Sequence, residues 1–432
     1  MQISLFDGAK PFKIDKPIRL IELFAGYGSQ AFALKYLGAD FEHWRTCEWA
    51  VKSIQAYRDA HFPDDNTDYS QGFSDEYIYE QLCKWGISAN YNEPMTAEQV
   101  KRLGVAKQRQ IFSNIVATRN LVNIQQVHGE DLGIEEKDKY CYVMTYSFPC
   151  QDLSLAGKGA GMEKGGGTRS GMLWEVERIL DECNDLPQVL LMENVPEVIG
   201  TNNIKHFAKW LEKLESLGYH CYWKVLNAKD FGVPQNRERC FMVSILGDYY
   251  YEFPEPIKLE RRLKDLLEEN VDEKYYLSDK MLNYCFGTNQ KESKFPRGER
   301  FLQSMELTNN KGIATTITTN AGNRVTDNFI KEPKVLGGIG EKKSNGGTQW
   351  YQQDRVYDDN VAISVTTSFN PFYAVKDYRI RKLTPKECFR LMGVRDEDYE
   401  KIAKNQSNAS LYHLAGDSIV VDVLMAIFKQ IL

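Results

Sequence analysis

The sequence predicts an α/β fold: an open sheet with helices on both faces, joined to a smaller β-rich lobe. Three features lead there. From 18 to 250, short apolar runs such as IRLIELF, YVMTYSF, VLLMEN and CFMVSIL alternate with helix-like segments, the rhythm of strands and crossovers in a layered sheet. The first run, IRLIEL at 18–23, passes directly into FAGYGSQA at 24–31, a match to GxGxxA, the strand-to-helix turn that lets a ligand approach backbone N–H groups. From 255 to 380 the periodicity weakens, Gly, Asn and Thr rise, and IATTITT at 313–319 is echoed by VAISVTT at 361–367.

Taken in order, the turn at 24–31 leads through the helical AFALKYL to a strand ending in TCEW. Glu48 stands there 20 residues after Gly28, where a carboxylate can bind both ribose hydroxyls, and Trp49 beside it can cover an adenine face. A nicotinamide dinucleotide and S-adenosylmethionine suit this pattern equally well, and a structural turn followed by a surface Glu-Trp pair would share it. Residues 62–130 are too long for a simple connection; Thr96-x-x-Gln99 is a capping-box pattern ahead of a basic and apolar mix, so a helical insertion is expected.

The strand YVMTYSF then delivers Cys150, with Pro149 fixing its approach, to the carboxyl edge of the sheet, where open α/β folds place ligands. Cys141, in mid-strand, reads as a packed thiol. A thiol at a loop start near N–H groups or arginines would ionise more readily; taken alone, it too is compatible with a packed hydrophobe. Residues 157–171 hold seven glycines with Lys158, Lys164 and Arg169, a composition suited to a phosphate-contacting lid. VLLMEN ends in Glu193-Asn194. A helix over 204–217 carries Ile204, Phe207, Leu211, Leu214 and Leu217 on one face, with Gly218 to cap it. A hairpin-like pair of strands follows, joined across FGVPQNRERC with Arg237 and Arg239, and the last 50 residues turn helical again.

Composition bounds the rest. With 42% hydrophobic residues the chain has ample core-forming material for a large domain plus a smaller one. No apolar run is read as approaching the roughly 18 to 20 residues of a membrane span, and a cytoplasmic, membrane-free protein is expected. The nine cysteines are scattered without a CxxC pair, so neither a metal site nor a disulfide framework is suggested. A net charge of −6 argues against a surface coated for nucleic acid, yet 289–379 carries 13 Lys and Arg against 10 Asp and Glu, which favours the β-rich lobe as the side facing an anionic partner.

The segments FAGYG, EW, PCQ, ENV, QNRER, RKLTPKECFRLMG and GDSIVV, in this order and spanning nearly the whole chain, resemble the C5-cytosine DNA methyltransferase family, most of all its bacterial stand-alone members, some of which act on CpG. The resemblance implies a Rossmann-like S-adenosylmethionine-dependent methyltransferase domain, residues 1–254 and 396–432, and a target-recognition domain, 255–395, with KLTPKECFRLMG as a structural brace. It implies double-stranded DNA as substrate, base flipping, a protein that is monomeric on DNA, a bacterial or phage source and a cognate restriction endonuclease as a possible partner.

Residue by residue, the family pattern makes Cys150 the nucleophile, Glu193 a carboxyl group raised by burial that bonds cytosine N3, Asn194 the residue orienting the loop, Arg239 the holder of the base O2 and Arg237 the neighbour fixing loop and carboxylate. Cofactor contacts fall on Phe24, Ala25, Gly26, Gly28, Ser29, Glu48, Trp49, Asp131, Leu132, Pro149, Met172, Asp417 and Ser418; Asp417 stands where the family more often has Asn. DNA contacts fall on Gln151, Ser154 and Arg169 near the lid, and on Thr316, Thr318, Thr319, Asn320, Arg324, Ser364, Thr366 and Thr367 in the recognition lobe. An RNA cytosine-5 methyltransferase would use the same site, and the long recognition lobe favours DNA over it. A nicotinamide-dependent oxidoreductase leaves PCQ, ENV and QNRER unexplained, and an inert DNA-binding protein would have no need of every reacting group.

Overall fold

Six strands form the central sheet: β1 (Ile18–Leu23), β2 (Phe41–Cys47), β3 (Cys141–Tyr146), β4 (Val189–Asn194), β5 (Tyr219–Asn227) and β6 (Glu238–Leu246), in the order β2-β1-β3-β4-β6-β5. The first four run parallel, and β6 is antiparallel to both of its neighbours. The computed structural model describes residues 10–149, 153, 161–164, 169–278, 312–319, 321, 327–333, 337, 338, 355–358, 373, 374 and 378–432.

Strands β1, β3 and β4 are buried along their whole length, which explains why they read as apolar runs rather than alternating ones: both faces are covered. Alternation persists in how they are shared. Ile18 and Leu20 enter one core with Phe32, Val143 and the C-terminal helices, whereas Ile21 and Leu23 enter the other with Met144, Leu190 and Trp210.

Among the described residues the α-helices are α1 (Ser29–Leu37), α2 (Val51–His61), α3 (Asp75–Trp85), α4 (Ala97–Arg102), α5 (Val105–Ala117), α6 (Leu173–Glu182), α7 (Ile204–Ser216), α8 (Pro385–Arg390), α9 (Asp396–Ala403), α10 (Asn408–Gly416) and α11 (Val421–Phe428). On α7 the buried face is Phe207, Trp210 and Leu214, while Ile204 is 45% exposed. The expected stripe is thus rotated toward Trp210, whose indole donates to the Tyr146 hydroxyl at 3.2 Å. The insertion contributes α3, α4 and α5 around a small core of its own, including Ile78, Val100 and Phe112, and Thr96 and Gln99 form the reciprocal capping box.

Asn408–Phe428 corrects the reading of the membrane pattern. By length and composition this stretch could cross a bilayer, but it comprises α10 and α11, interrupted at 417–420, and is mostly buried in the core. Its apolarity serves packing: α11 lies on α1, and α8 lies on α10.

The described part of the 255–395 lobe is β-rich, with Phe329–Pro333 antiparallel to Tyr378–Lys382 and a small sheet of Gly337–Gly338, Arg355–Asp358 and Tyr373–Ala374. Residues 361–367 lie outside the described residues. The lobe is held by KLTPKECFRLMG. Arg381 and Glu387, both fully buried, pair through two bonds of 2.8 and 3.0 Å, and the same carboxylate takes the N–H groups of Thr384 and Glu268. Glu387 is therefore spent inside the protein, and its removal strands a buried guanidinium. Glu387→Ala is expected to cost about 3 to 5 kcal/mol, read as a lower urea midpoint at unchanged slope.

Candidate active site

The carboxyl ends of β1 to β4 open into a cavity of about 380 Å³, closed on its far side by the loop between α10 and α11. From the glycine turn, Phe24, Ala25, Gly26 and Ser29 line it; Phe24 has φ +59° and Gly26 φ +57°, a left-handed pair that turns the chain away from β1. Gly28 is not in the wall. It has φ +83°, and a Cβ there would run into the rings of His61 and Tyr57, so the position demands glycine for packing behind the turn rather than for a ligand in front of it.

Glu48 and Trp49, at the end of β2, form the next wall. The Glu48 carboxylate accepts the Gly26 N–H at 3.0 Å and the Ala50 N–H at 2.7 Å, tying the ends of β1 and β2 together. Burial pushes its carboxyl up to about 7 against those bonds, and the nearby Asp417 adds to the rise. Among the described residues neither Glu48 nor Asp417 forms an ion pair, although both face the cavity.

Asp131 and Leu132 do not reach this cavity, which corrects the expectation for them. The Asp131 carboxylate caps the His128 N–H at 2.8 Å, and Leu132 is buried with its carbonyl accepting from the Trp44 indole. Their short turn is pressed against α6, where a Cβ on Gly129 would collide with the backbone at 182–183. Asn123 and Ile124, one turn earlier, take the place in the wall.

Beyond β3, Pro149 and Met172 line the cavity, and the Pro149 carbonyl accepts from the Ser170 hydroxyl at 2.7 Å. Asn194 donates to the Phe148 carbonyl at 2.9 Å while its oxygen accepts the Val195 N–H at 2.9 Å, so it ties the two strand ends together. Cys150, Gln151 and Ser154 lie outside the described residues, as does the side chain of Arg169. Glu193 is nearly buried; Arg239 Nε approaches one oxygen at 3.1 Å and the Ser147 hydroxyl donates to the other.

For Arg237 the family pattern implies a hold on both loop and carboxylate. Its guanidinium donates to the carbonyls of Ile317 (2.9 Å), Gly416 (3.1 Å) and Ser418 (2.7 Å), so it fixes loops while Arg239 takes the carboxylate. Ser418 is likewise held from behind, its hydroxyl 2.8 Å from that of Tyr27. The neighbouring threonines, each partly exposed, also touch the central-sheet domain: Thr316 donates to the Asn236 carbonyl, Thr318 has a buried hydroxyl, and the backbone at 318–319 abuts Gly416 so closely that a Cβ there would collide. Asn320, Arg324, Ser364, Thr366 and Thr367 lie outside the described residues. Wall residues that sequence spacing does not disclose are Tyr91, Asn123, Ser147 and His413; Ser147, in SFPC, had only its nearness to Cys150 as a signal.

A parallel sheet with one antiparallel strand set into its edge, and a cavity at the strand ends joining a glycine turn to a Glu-Arg pair, defines a Rossmann-like methyltransferase. The model of the family described as C-5 cytosine-specific DNA methylase matches residues 105–432, and the chain belongs to that family as a DNA cytosine-5 methyltransferase. It is 31% identical to the type II methyltransferase M2.ScrFI of Lactococcus lactis subsp. cremoris, over 96% of this chain and 99% of that one. It is also 31% identical to the orphan methyltransferase M.SssI of Spiroplasma monobiae, over 96% and 97%. Among solved structures, S. pombe Dnmt2 (TM-score 0.55, 15% identity, 95% of this chain and 97% of that one) and the Entamoeba histolytica methyltransferase EhMeth (0.56, 14%, 96% and 98%) share the fold.

Behind the turn, Glu22 is fully buried and accepts the Ala31 N–H at 3.3 Å and the Tyr57 hydroxyl at 2.5 Å. Burial outweighs both bonds and raises its carboxyl from 4.5 to about 7. The folded value lies above the unfolded one, so the folded chain holds the extra proton between them. This group's contribution to stability is complete below the unfolded value and is lost as pH rises through about 7. Relative to wild type, Glu22→Gln should gain about 3 kcal/mol of stability between acid and pH 8, measured by urea denaturation across that range.

Proposed function

We propose that this methyltransferase uses S-adenosylmethionine as donor and methylates C5 of a cytosine flipped out of duplex DNA, through a bond between Cys150 Sγ and C6. What supports the donor is the pair of carboxylates, Glu48 and Asp417, that face the cavity without an ion-pair partner among the described residues. They suit a ligand bearing an ammonium and a sulfonium. A pyrophosphate would meet like charge, and the Gly26 N–H that could cradle it is already given to Glu48. Phe24 and Trp49 supply flat apolar walls, so the residues present fit the donor. S-adenosylmethionine, when bound, supplies a methyl group on an electron-poor sulfur.

The chain's own residues prepare the base. Cytosine C5 is a weak nucleophile; addition of the Cys150 thiolate to C6 pushes the ring electrons onto C5 as an enamine, which can then take the methyl. Glu193 and Arg239, paired with one another before the base enters, can instead meet N3 and O2, withdrawing charge from the ring and favouring addition. Loss of the C5 proton, with water as the base, re-forms the double bond and expels Cys150 Sγ. Asn194, by holding the Phe148 carbonyl, sets where Pro149 delivers Cys150.

Burying the target in this cleft requires the base to leave the stack, at a cost of a few kcal/mol. Gln151, Ser154 and Arg169 are proposed to meet the DNA around it, and the lobe at 255–395 to choose the site. A family described by DNA methylation favours duplex DNA over RNA as the substrate.

Duplex DNA carrying 5-fluorocytosine at the recognition site tests this, because fluorine cannot be lost as a proton and the enzyme is trapped. With S-adenosylmethionine present, wild type should form a denaturation-resistant adduct and Cys150→Ser none. Absence of adduct with wild type, or equal adduct with the variant, would overturn the reading.

A further inference from the structure

The helical insertion at 62–130 takes no part in the steps above, yet one of its turns reaches the cavity. Tyr91, Asn92, Glu93 and Pro94 line it opposite the loop between α10 and α11. This turn is fastened to the end of β2 itself: the Ser88 N–H donates to the Trp49 carbonyl at 2.7 Å, and the Ser88 carbonyl accepts the Val51 N–H at 2.9 Å. Ser88 is fully buried, and its hydroxyl donates to the Glu93 carbonyl (2.7 Å) while accepting the Tyr91 N–H (3.1 Å). Asn90 Oδ1 accepts the N–H groups of Asn92 and Glu93 at 3.0 and 3.2 Å, which closes the turn. Any shift of the turn therefore moves with Glu48 and Trp49.

Tyr91 is the unusual residue in it. Its φ is +64°, a conformation that suits glycine and is costly for a bulky side chain. The Tyr91 ring stacks on His413 of α10, with centroids 4.0 Å apart and planes inclined by 33°, so residues more than 300 positions apart meet over the cavity. His413 Nε2 is buried beside it without a hydrogen-bond partner among the described residues. Burial raises the Tyr91 phenol, the Ser53 hydroxyl, which donates to it at 3.5 Å, opposes the rise, and the carboxylates of Glu48 and Asp417 add to it. A strained aromatic residue, held by a rigid turn in the wall that Glu48 and Asp417 also line, is the kind of position at which strain serves a ligand.

We propose that the turn at 88–94 is a wall of the cofactor site and that Tyr91 is a positioning residue that packs on bound S-adenosylmethionine, roofing the part of the ligand between Glu48 and Asp417. The assignment rests on the donor proposed above. It makes the insertion a component of the methyl-donor site, so that cofactor binding and the folding of α3 to α5 are linked. The aromatic face carries the role: the phenol ring covers the ligand and, through His413, joins the insertion to the C-terminal helices.

The test uses the full chain and S-adenosylhomocysteine, the demethylated donor, so that no turnover is needed. Calorimetric titration should show binding weakened about tenfold or more in Tyr91→Ala and changed by no more than roughly threefold in Tyr91→Phe, which keeps the ring. In wild type, hydrogen exchange of the amides at 88–95 should slow when S-adenosylhomocysteine is added, a measurement that does not depend on any variant folding. Unchanged exchange there under saturating ligand, or equal affinity of wild type and Tyr91→Ala, would overturn the proposal and leave the donor assignment standing. Failure of wild type to bind S-adenosylhomocysteine at all would overturn both.

Discussion

The Arg237 guanidinium holds together the parts of the chain that make the site. From the turn between β5 and β6 it donates to the carbonyls of Ile317, Gly416 and Ser418, and thereby sews the central sheet, the 255–395 lobe and the loop between α10 and α11 to a single buried charge. Charge-assisted bonds of this kind are stronger than neutral ones, and three on one rigid planar group specify geometry as well as stability. Packing reinforces the junction. Gly416 has no Cβ because the backbone of Thr318 and Thr319 occupies that space, and Gln235, two residues before Arg237, accepts the Ile317 N–H and donates to the Leu391 carbonyl. The loop that presents Asp417 to the cavity is thus positioned from the middle of the chain, 179 residues before Gly416.

The charge arrangement in the cavity follows from that seam. One end carries Glu48 and Asp417 without cationic partners among the described residues; the other carries Glu193 matched by Arg239. An acidic, aromatic-walled end suits a cationic donor, and a balanced Glu-Arg pair suits a neutral base with both donors and acceptors on its edge. The two ends share one cavity, which is the requirement for a direct transfer between two bound molecules. Glu48 illustrates how finely the acidic end is poised: two backbone N–H groups hold its carboxylate, yet burial still keeps its proton affinity near neutrality.

Legibility differed by the kind of constraint. Strands β1, β3 and β4 were readable because a strand covered on both faces must be apolar throughout, and the Thr96 to Gln99 box was readable because a helix start is a local event. On α7, spacing marks Ile204, but Tyr146 of β3, in the same core, offers a hydroxyl to the Trp210 indole, and Trp210 is buried while Ile204 is exposed. The apolar stretch ending the chain was underrated for the same reason, since its burial against α1 is a tertiary fact.

By itself the sequence determined the order of chemical groups along the sheet edge, because each of Phe24, Glu48, Pro149 and Glu193 sits at or just beyond a strand end, and parallel strands bring such ends together whatever lies between them. Only the tertiary structure decided which residues from the long connections join them. Asp131 and Asn123 belong to successive short turns; the first packs with Gly129 against the end of α6 and spends its carboxylate on the His128 N–H, while the second lines the cavity. Gly28 serves the packing of His61, Arg237 serves three carbonyls, and Tyr91 meets His413, all through contacts between segments tens to hundreds of residues apart. Spacing along the chain carries no record of such meetings, since they are set by how the insertion and the C-terminal helices pack against the sheet.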